Sequence, residues 1–252
     1  VERSRGLGDV YKRQGISTLI SCSGSPDPLY PRYTTFPDEK MVATQEISID
    51  SAFFRYPYRV AVKDSIAIIM DLHNDSHYFY AFTYPECKPI APFGKRGEAP
   101  GEMLSAEMFQ FSALDSVWTL DANRMLITRW SVSPTDKTVL RKEEIRLDKT
   151  LVRSLDFYRT DSAFLITDYL GDFRYHKVSH SGKPIKNIGK IPTEISYEQY
   201  IHPALAQAWR SFTDYNPKNG IYAMATQLGE ALEIYNLKTQ THNVIYLSLI
   251  HI

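Results

Sequence analysis

The chain has 252 residues, 43% hydrophobic and 23% charged, so it can bury a core and is not a disordered segment. Lys and Arg total 29, as do Asp and Glu, and this formal charge of zero argues against the phosphate-neutralising surface of a nucleic-acid binder. The 17 Tyr and 12 Phe favour sheet, and two Cys are too few for a disulfide framework.

At the N-terminus, Asp9 to Gln14 reads "DVYKRQ"; the last six residues, Leu247 to Ile252, read "LSLIHI". The two share no residue pattern, yet one oligonucleotide encodes the first and its reverse complement encodes the second. They resemble the transposon end used to tag DNA libraries, and Ser4 to Gly8 reads as translated adapter. Residues 1–14 and 247–252 are therefore expected to be adapter-derived and to carry no fold information, and the natural protein is expected to be cut at both ends. Without residues 1–14, 25 basic residues face 27 acidic ones, a net of −2.

Next comes "STLISCSGS", Ser17 to Ser25. It resembles a bacterial lipobox, with Leu19 three positions before the cysteine, Ser21 immediately before it, and Cys22 as the lipidated residue. Small residues fit the signal-peptidase pocket, and the thiol supplies the acyl attachment point. Residues 15–33 are then the remnant of a lipoprotein signal and a flexible tether containing "SGSPDP". No stretch approaches the ~20 apolar residues of a transmembrane helix, so any membrane attachment is expected through the lipid alone.

Residues 34–246 carry an internal repeat. "VAVKDSIAIIMD" (Val60 to Asp71), "FSALDSVWTLD" (Phe111 to Asp121), "FYRTDSAFLITD" (Phe157 to Asp168) and "DYNPKNGIYAMAT" (Asp214 to Thr226) align on a polar turn. The turns begin at Asp64, Asp115, Asp161 and Asn219, spaced 51, 46 and 58 residues apart. Asp or Asn followed by Ser or Gly closes hairpins. Two further strand-like stretches follow each hairpin, for example "HYFYAFTY" (His77 to Tyr84) and "KPIAPFG" (Lys88 to Gly94) in the first repeat. Four strands per repeat at about 45–55 residues predict β-propeller blades rather than a sandwich, which would not need the same turn to return every four strands. The fold class is all-β: an incomplete propeller of about four four-stranded antiparallel blades. "ATQEISID" (Ala43 to Asp50) reads as an early strand that would close the ring against a last blade.

One segment departs from this pattern. In Ser196 to Trp209 the apolar residues form a single helical stripe, and Pro203 suits the first helical position. A short helix over 203–210 is expected on one propeller face, with Leu205 and Trp209 turned inward.

"FGKRGEAPGEM" (Phe93 to Met103), the repeated Asp-Ser hairpins and "PALAQAWRSF" (Pro203 to Phe212) together resemble the TolB-like six-bladed propeller lipoproteins of gut Gram-negative anaerobes. The resemblance spans roughly Thr34 to Tyr246. It implies six blades and a location in the cell envelope, lipid-anchored, periplasmic or on the outer surface. It brings no assigned activity and no catalytic motif.

No motif for chemistry stands out. The glycine loop leads from Gly97 into Glu-Ala-Pro and lacks the Lys-Ser/Thr of a phosphate cradle, so its glycines read as a tight crossover between blades. His73 with His77, and His176 with His180, are spaced too far along a strand to share a metal easily. Trp118 and Trp130 read as core. No catalytic residue, metal site or cofactor is nominated. Arg96, Tyr200 and His202 are candidate ligand-binding residues on a propeller face. Two functions remain: a non-enzymatic envelope propeller binding a glycan, peptide or envelope protein, or a lyase- or lactonase-like enzyme acting on a glycan or small molecule. The enzyme needs polar groups from several inner strands converging on the axis, and "YRVAV", "FQFSA" and "LDFYR" offer few.

Overall fold

The computed structural model describes residues 32–33, 40–41, 43, 46–47, 49, 52–113, 115–193 and 202–247. After a two-residue strand β1 (Arg32–Tyr33), four antiparallel sheets follow one another along the chain. Blade 1 is β2 (Pro57–Lys63), β3 (Ile66–Asp71), β4 (His77–Thr83) and β5 (Pro89–Lys95). Blade 2 is β6 (Ala106–Ala113), β7 (Ser116–Asp121), β8 (Leu126–Ser133) and β9 (Thr138–Arg146). Blade 3 is β10 (Phe157–Arg159), β11 (Phe164–Thr167), β12 (Tyr175–Val178) and β13 (Pro184–Ile188). After helix α1 (His202–Ala208), blade 4 is β14 (Ser211–Asn216), β15 (Ile221–Thr226), β16 (Ala231–Asn236) and β17 (Thr241–Leu247).

The hairpins of blades 1 and 3 form where the turn residues put them, and those of blades 2 and 4 depart from expectation. Lys63 pairs with Ile66 around Asp64-Ser65, and Asp64 takes a positive φ of 49°, a conformation that Asp tolerates. Arg159 pairs with Phe164 around Asp161-Ser162. In blade 2 the pair is Ala113 with Ser116, so Ser116 is already strand and the turn lies one residue earlier than expected. Blade 4 uses a longer loop, with Asn216 opposite Ile221 and Gly220 at φ 74°.

The Asp that ends three of the repeats has a structural task. Asp71 accepts the backbone N–H groups of Arg55, Tyr56 and His73 at 2.7, 2.9 and 3.0 Å. Asp121 does the same for Leu104, Ser105 and Arg124, and Asp168 for Leu170 and Phe173. Burial alone would raise the Asp71 carboxyl, but these donors hold it below its ordinary value. In blade 4, Thr226 takes over this position and exchanges hydrogen bonds with Ala231.

The core lies between blades. Alternation along β3 sends Ile66, Ile68 and Met70 toward blade 2, where they meet Phe109, Val117 and Trp130. A second cluster joins blades 2, 3 and 4 through Trp118, Leu120, Phe157, Phe164, Tyr222 and Tyr235. Both buried indoles are satisfied: Trp118 Nε1 donates to Ser112 Oγ at 2.9 Å, and Trp130 Nε1 to Thr119 Oγ1 at 2.8 Å. At the blade 3–blade 4 interface the packing encloses an ion pair. Arg174 donates to Glu233 Oε1 at 2.6 Å from Nη2 and 2.9 Å from Nε, and to Ser211 Oγ at 3.0 Å. Glu233 Oε2 also accepts the Tyr235 hydroxyl at 3.0 Å and lies 3.3 Å from His242 Nε2.

The inner strands, which no further strand covers, are less buried. Val60 and Val62 on β2 are 69% and 47% exposed, and Phe212 on β14 is 52% exposed. On blade 1, Phe54 covers part of the outer face by packing against Tyr80 and Phe82.

α1 forms where a helix over 203–210 is expected, but begins one residue earlier and ends at Ala208, so Trp209 lies just past it. Leu205 and Ala206 are buried with Ile191, and Trp209 packs partly against them. The expected early strand is corrected. Of Ala43 to Asp50, the described residues Ala43, Glu46, Ile47 and Ile49 belong to no strand, and Ile47 is 49% exposed; the other four lie outside the described residues. An alternating pattern makes a strand only where a sheet edge is in reach. Here that edge, β17, is paired in parallel by β1, with Arg32 opposite Tyr246 and Tyr33 opposite Leu247. That pairing covers backbone groups an edge strand would otherwise leave open.

Candidate functional site

The first strand of each blade, β2, β6, β10 and β14, lines a central channel with a cavity of 670 Å³. Its walls mix apolar side chains, Val60, Val62, Met108 and Phe111, with Arg59, Gln110, Tyr158, Thr213 and Asp214. Gln110 ties two blades together: its Oε1 accepts Arg159 N–H at 2.7 Å and its Nε2 donates to Arg159 O at 3.2 Å. The Tyr158 hydroxyl donates to Thr213 O at 2.7 Å, joining blades 3 and 4.

Behind this wall lies Asp156, on the residue before β10 and only 2% exposed. The Thr213 hydroxyl donates to its Oδ2, and Phe157 N–H to its Oδ1 at 3.0 Å. Burial pushes the Asp156 carboxyl up to about 6; Arg59, Thr213 and the Phe157 N–H pull it down, and Asp214 adds to the rise. Arg59 comes from blade 1, and its Nε is buried without a hydrogen-bond partner among the described residues. Tyr169 is pushed up to about 12, by burial and then by the Asp156 charge. Arg210 lies 5.9 Å from the Tyr169 ring centre.

Polar groups from blades 1, 3 and 4 thus converge on the axis. "YRVAV" and "LDFYR" contain Arg59 and Asp156, but nothing in the sequence marks them as neighbours, since they lie on different blades. The available signal was the position of each residue in or just before a first strand. Chemically, Arg59 offers an N–H donor and a cation, while Asp156 is a carboxyl able to change protonation near neutral pH.

The residues singled out from the sequence lie elsewhere. Arg96 rests over the Tyr78 ring, 4.1 Å from its centre, and donates from Nη2 to Leu72 O. His202 Nδ1 lies 2.7 Å from Asp172 Oδ1. Neither lines the channel. Tyr200 and Cys22 lie outside the described residues. The glycine loop is a crossover between blades. Met103 N–H donates to Lys95 O at 2.8 Å, and the Lys95 ammonium meets Glu102 Oε1 at 2.6 Å. Gly94 is required there, because at its φ of 62° a Cβ would come within 2.7 Å of the Phe79 ring. His176 and His180 take separate partners: Asn187 Oδ1 at 2.9 Å for the first, Thr160 O at 3.1 Å for the second. The Asp168 carboxylate, 3.7 Å from His176, is held low despite burial, mainly by its hydrogen bond to that ring.

The family described as TolB-like 6-blade propeller-like matches residues 35–248. A search of curated proteins finds no match. Among solved structures, a putative exported protein from Bacteroides fragilis aligns with a TM-score of 0.57 at 13% identity, covering 87% of this chain and 60% of that one. A catalytically inactive virginiamycin B lyase from Staphylococcus aureus, determined with quinupristin, aligns with a TM-score of 0.50 at 15% identity, covering 82% of this chain and 60% of that one. At these identities the likeness is one of fold. The chain spans three fifths of the length of either structure.

Proposed function

From its membership of the TolB-like six-bladed propeller family, to which this chain belongs, we propose that it is the binding domain of a cell-envelope protein, anchored by lipid on Cys22, that takes a glycan, a peptide or a segment of an envelope protein into its axial channel. The observation that carries this is the Arg59 cation on the wall of a 670 Å³ cavity of mixed polarity. An exported protein with the same fold and the Leu19 to Cys22 motif support an extracytoplasmic address. The described residues form four blades and the chain spans three fifths of the similar solved structures, so the whole protein's ligand is part of the proposal.

A thermal-shift screen of oligosaccharides and peptides tests the channel. Its hits should weaken by roughly tenfold or more in Arg59→Met, the scale of losing one charge-assisted hydrogen bond. Hits that bind the variant unchanged would place the site elsewhere. For the address, Cys22→Ser in the intact gene should move the protein out of the membrane fraction. An unchanged fraction would remove the lipid anchor from the reading.

One observation favours the enzyme: a carboxyl at about 6 beside the axis is suited to general acid–base work in a lyase- or lactonase-like reaction. Against it, Asp156 is 2% exposed and both its oxygens already accept hydrogen bonds from the protein. Asp156→Asn separates the two readings: an enzyme loses turnover and keeps its ligand, while a binder has no turnover to lose.

A further inference from the structure

A second cavity, of 470 Å³, lies between blades 3 and 4, away from the axis and independent of the channel. Tyr175 and Tyr235 line it, both nearly buried and in edge-to-face contact at 5.1 Å. His242 is stacked parallel to Tyr235, ring centres 4.0 Å apart. Tyr215, half-buried, adds a third tyrosine to the lining. Gly189 opens the space beside Tyr235, whose hydroxyl would lie 2.8 Å from a Cβ at that position. The Glu233 network behind Tyr235 and His242 fixes both rings.

The charges of this cavity are lopsided. Lys177 on β12 and Lys186 on β13 are directly opposite in register, and both line it. Like charges facing each other across two strands are destabilising. Neither lysine has an ion-pair partner among the described residues. Lys238, from the turn after β16, contributes a third ammonium, which donates to Lys218 O at 3.1 Å. Asp161 is the single carboxylate among the described lining residues. An aromatic cavity with excess positive charge suits a ligand that has both a ring face and a negative group. Its volume falls in the range of small-molecule sites.

We propose that this pocket binds a small ring-bearing carboxylate, the chemistry shared by acidic sugars and aromatic acids. Tyr215 and the open side of His242 supply the ring surface, backed by the buried Tyr175 and Tyr235, and Lys177 and Lys186 take the carboxylate. The ligand would relieve the repulsion between the two lysines.

Isothermal titration with galacturonate, benzoate, galactose and inorganic phosphate tests this. At least one of the two ring carboxylates should bind with a Kd of about 1 mM or tighter, and the tighter of the two tells sugar from aromatic acid. Galactose and phosphate should each bind at least roughly tenfold more weakly than that carboxylate, having the ring or the charge but not both. Lys186→Glu should lose the carboxylate by about tenfold or more, yet raise Tm by ~1–3 °C, because an opposite-charge pair replaces the like-charge one. Lys142→Met, on the exposed surface of blade 2, should change neither. The proposal is overturned if neither ring carboxylate binds at ~1 mM or tighter, if phosphate or galactose comes within tenfold of the better one, or if Lys186→Glu keeps its affinity.

Discussion

The interface between blades 1 and 2 and the interface between blades 3 and 4 solve the same problem with opposite chemistry. The first is an aromatic cluster: Phe79 lies 5.0 Å from Phe93 and meets Phe109 edge-to-face at 5.7 Å, and Phe93 lies 5.4 Å from Trp130. The second encloses Arg174 and Glu233, 1% and 0% exposed, in a network reaching Ser211, Tyr235 and His242. An apolar interface tolerates small changes in shape, because its energy is spread over many weak contacts. A buried ion pair concentrates its energy in two groups, neither of which can be left alone. The two interfaces should therefore respond differently to substitution.

The largest effect is expected at the ionic interface. Arg174→Met leaves the Glu233 charge buried without its cation and should cost about 3–5 kcal/mol in urea unfolding. The double variant Arg174→Met/Glu233→Leu should recover most of that loss, since an apolar pair of similar volume is often neutral. A single variant costing under ~1 kcal/mol would erase the contrast between the interfaces. The ionic interface should also fail in acid. Burial favours the neutral form of Glu233, but its hydrogen bond to His242 and the Arg174 charge bring its carboxyl below the ordinary value. Its contribution is present above the unfolded pKa and is lost as pH falls through the lower folded one.

Asp156 should behave in the opposite sense, which sharpens the comparison. Its folded pKa, about 6, lies above the ordinary 3.8, so the native state holds its proton more tightly than the unfolded chain. Stability from this group is complete below the unfolded value and is lost as pH rises toward 6. The loss amounts to about 3 kcal/mol at most, at 1.36 kcal/mol per pH unit. In Asp156→Asn that slope should disappear. The difference between wild-type and variant unfolding free energies, followed from pH 4 to 7, isolates it from the lowered carboxyls of Asp71, Asp168 and Glu233. A difference independent of pH would show that Asp156 is not buried as described.

The smallest effect belongs to the apolar interface. Ile68→Val, at a fully buried position facing blade 2, should cost about 1 kcal/mol, without the all-or-none character of the ionic pair. A cost near that of Arg174→Met would mean that the aromatic interface is as brittle as the ionic one.

The apolar half of this comparison was legible in the sequence and the ionic half was not. Alternation in "IAIIMD" and the Asp-Ser turns are local, so the blade repeat, most of its hairpins and the short helix could be read from neighbours along the chain. Ser116 shows the limit of that reading: it suits a turn by type, yet it pairs with Ala113 as strand. Arg174 and Glu233 are 59 positions apart, and Asp156 and Thr213 are 57 apart. Nothing in one sequence says which buried charges meet when partners come from different blades. The same holds for Arg59, which looks like an ordinary exposed strand residue until four first strands are set around one axis. Ile47 and Ile49 failed in the other direction: they alternate, yet belong to no strand, while β1 holds the edge of β17.

The central claim is that side chains from separate blades converge on the axis and act on one another there. It is tested most directly by carbon-13 NMR of the Asp156 carboxyl, titrated in the wild-type chain and in Arg59→Met. The account predicts a midpoint near 6 in the wild type and a higher one in the variant, because Arg59, reaching across from blade 1, is the charge that holds it down. A midpoint near the ordinary 3.8, or one that Arg59→Met leaves unmoved, would contradict it.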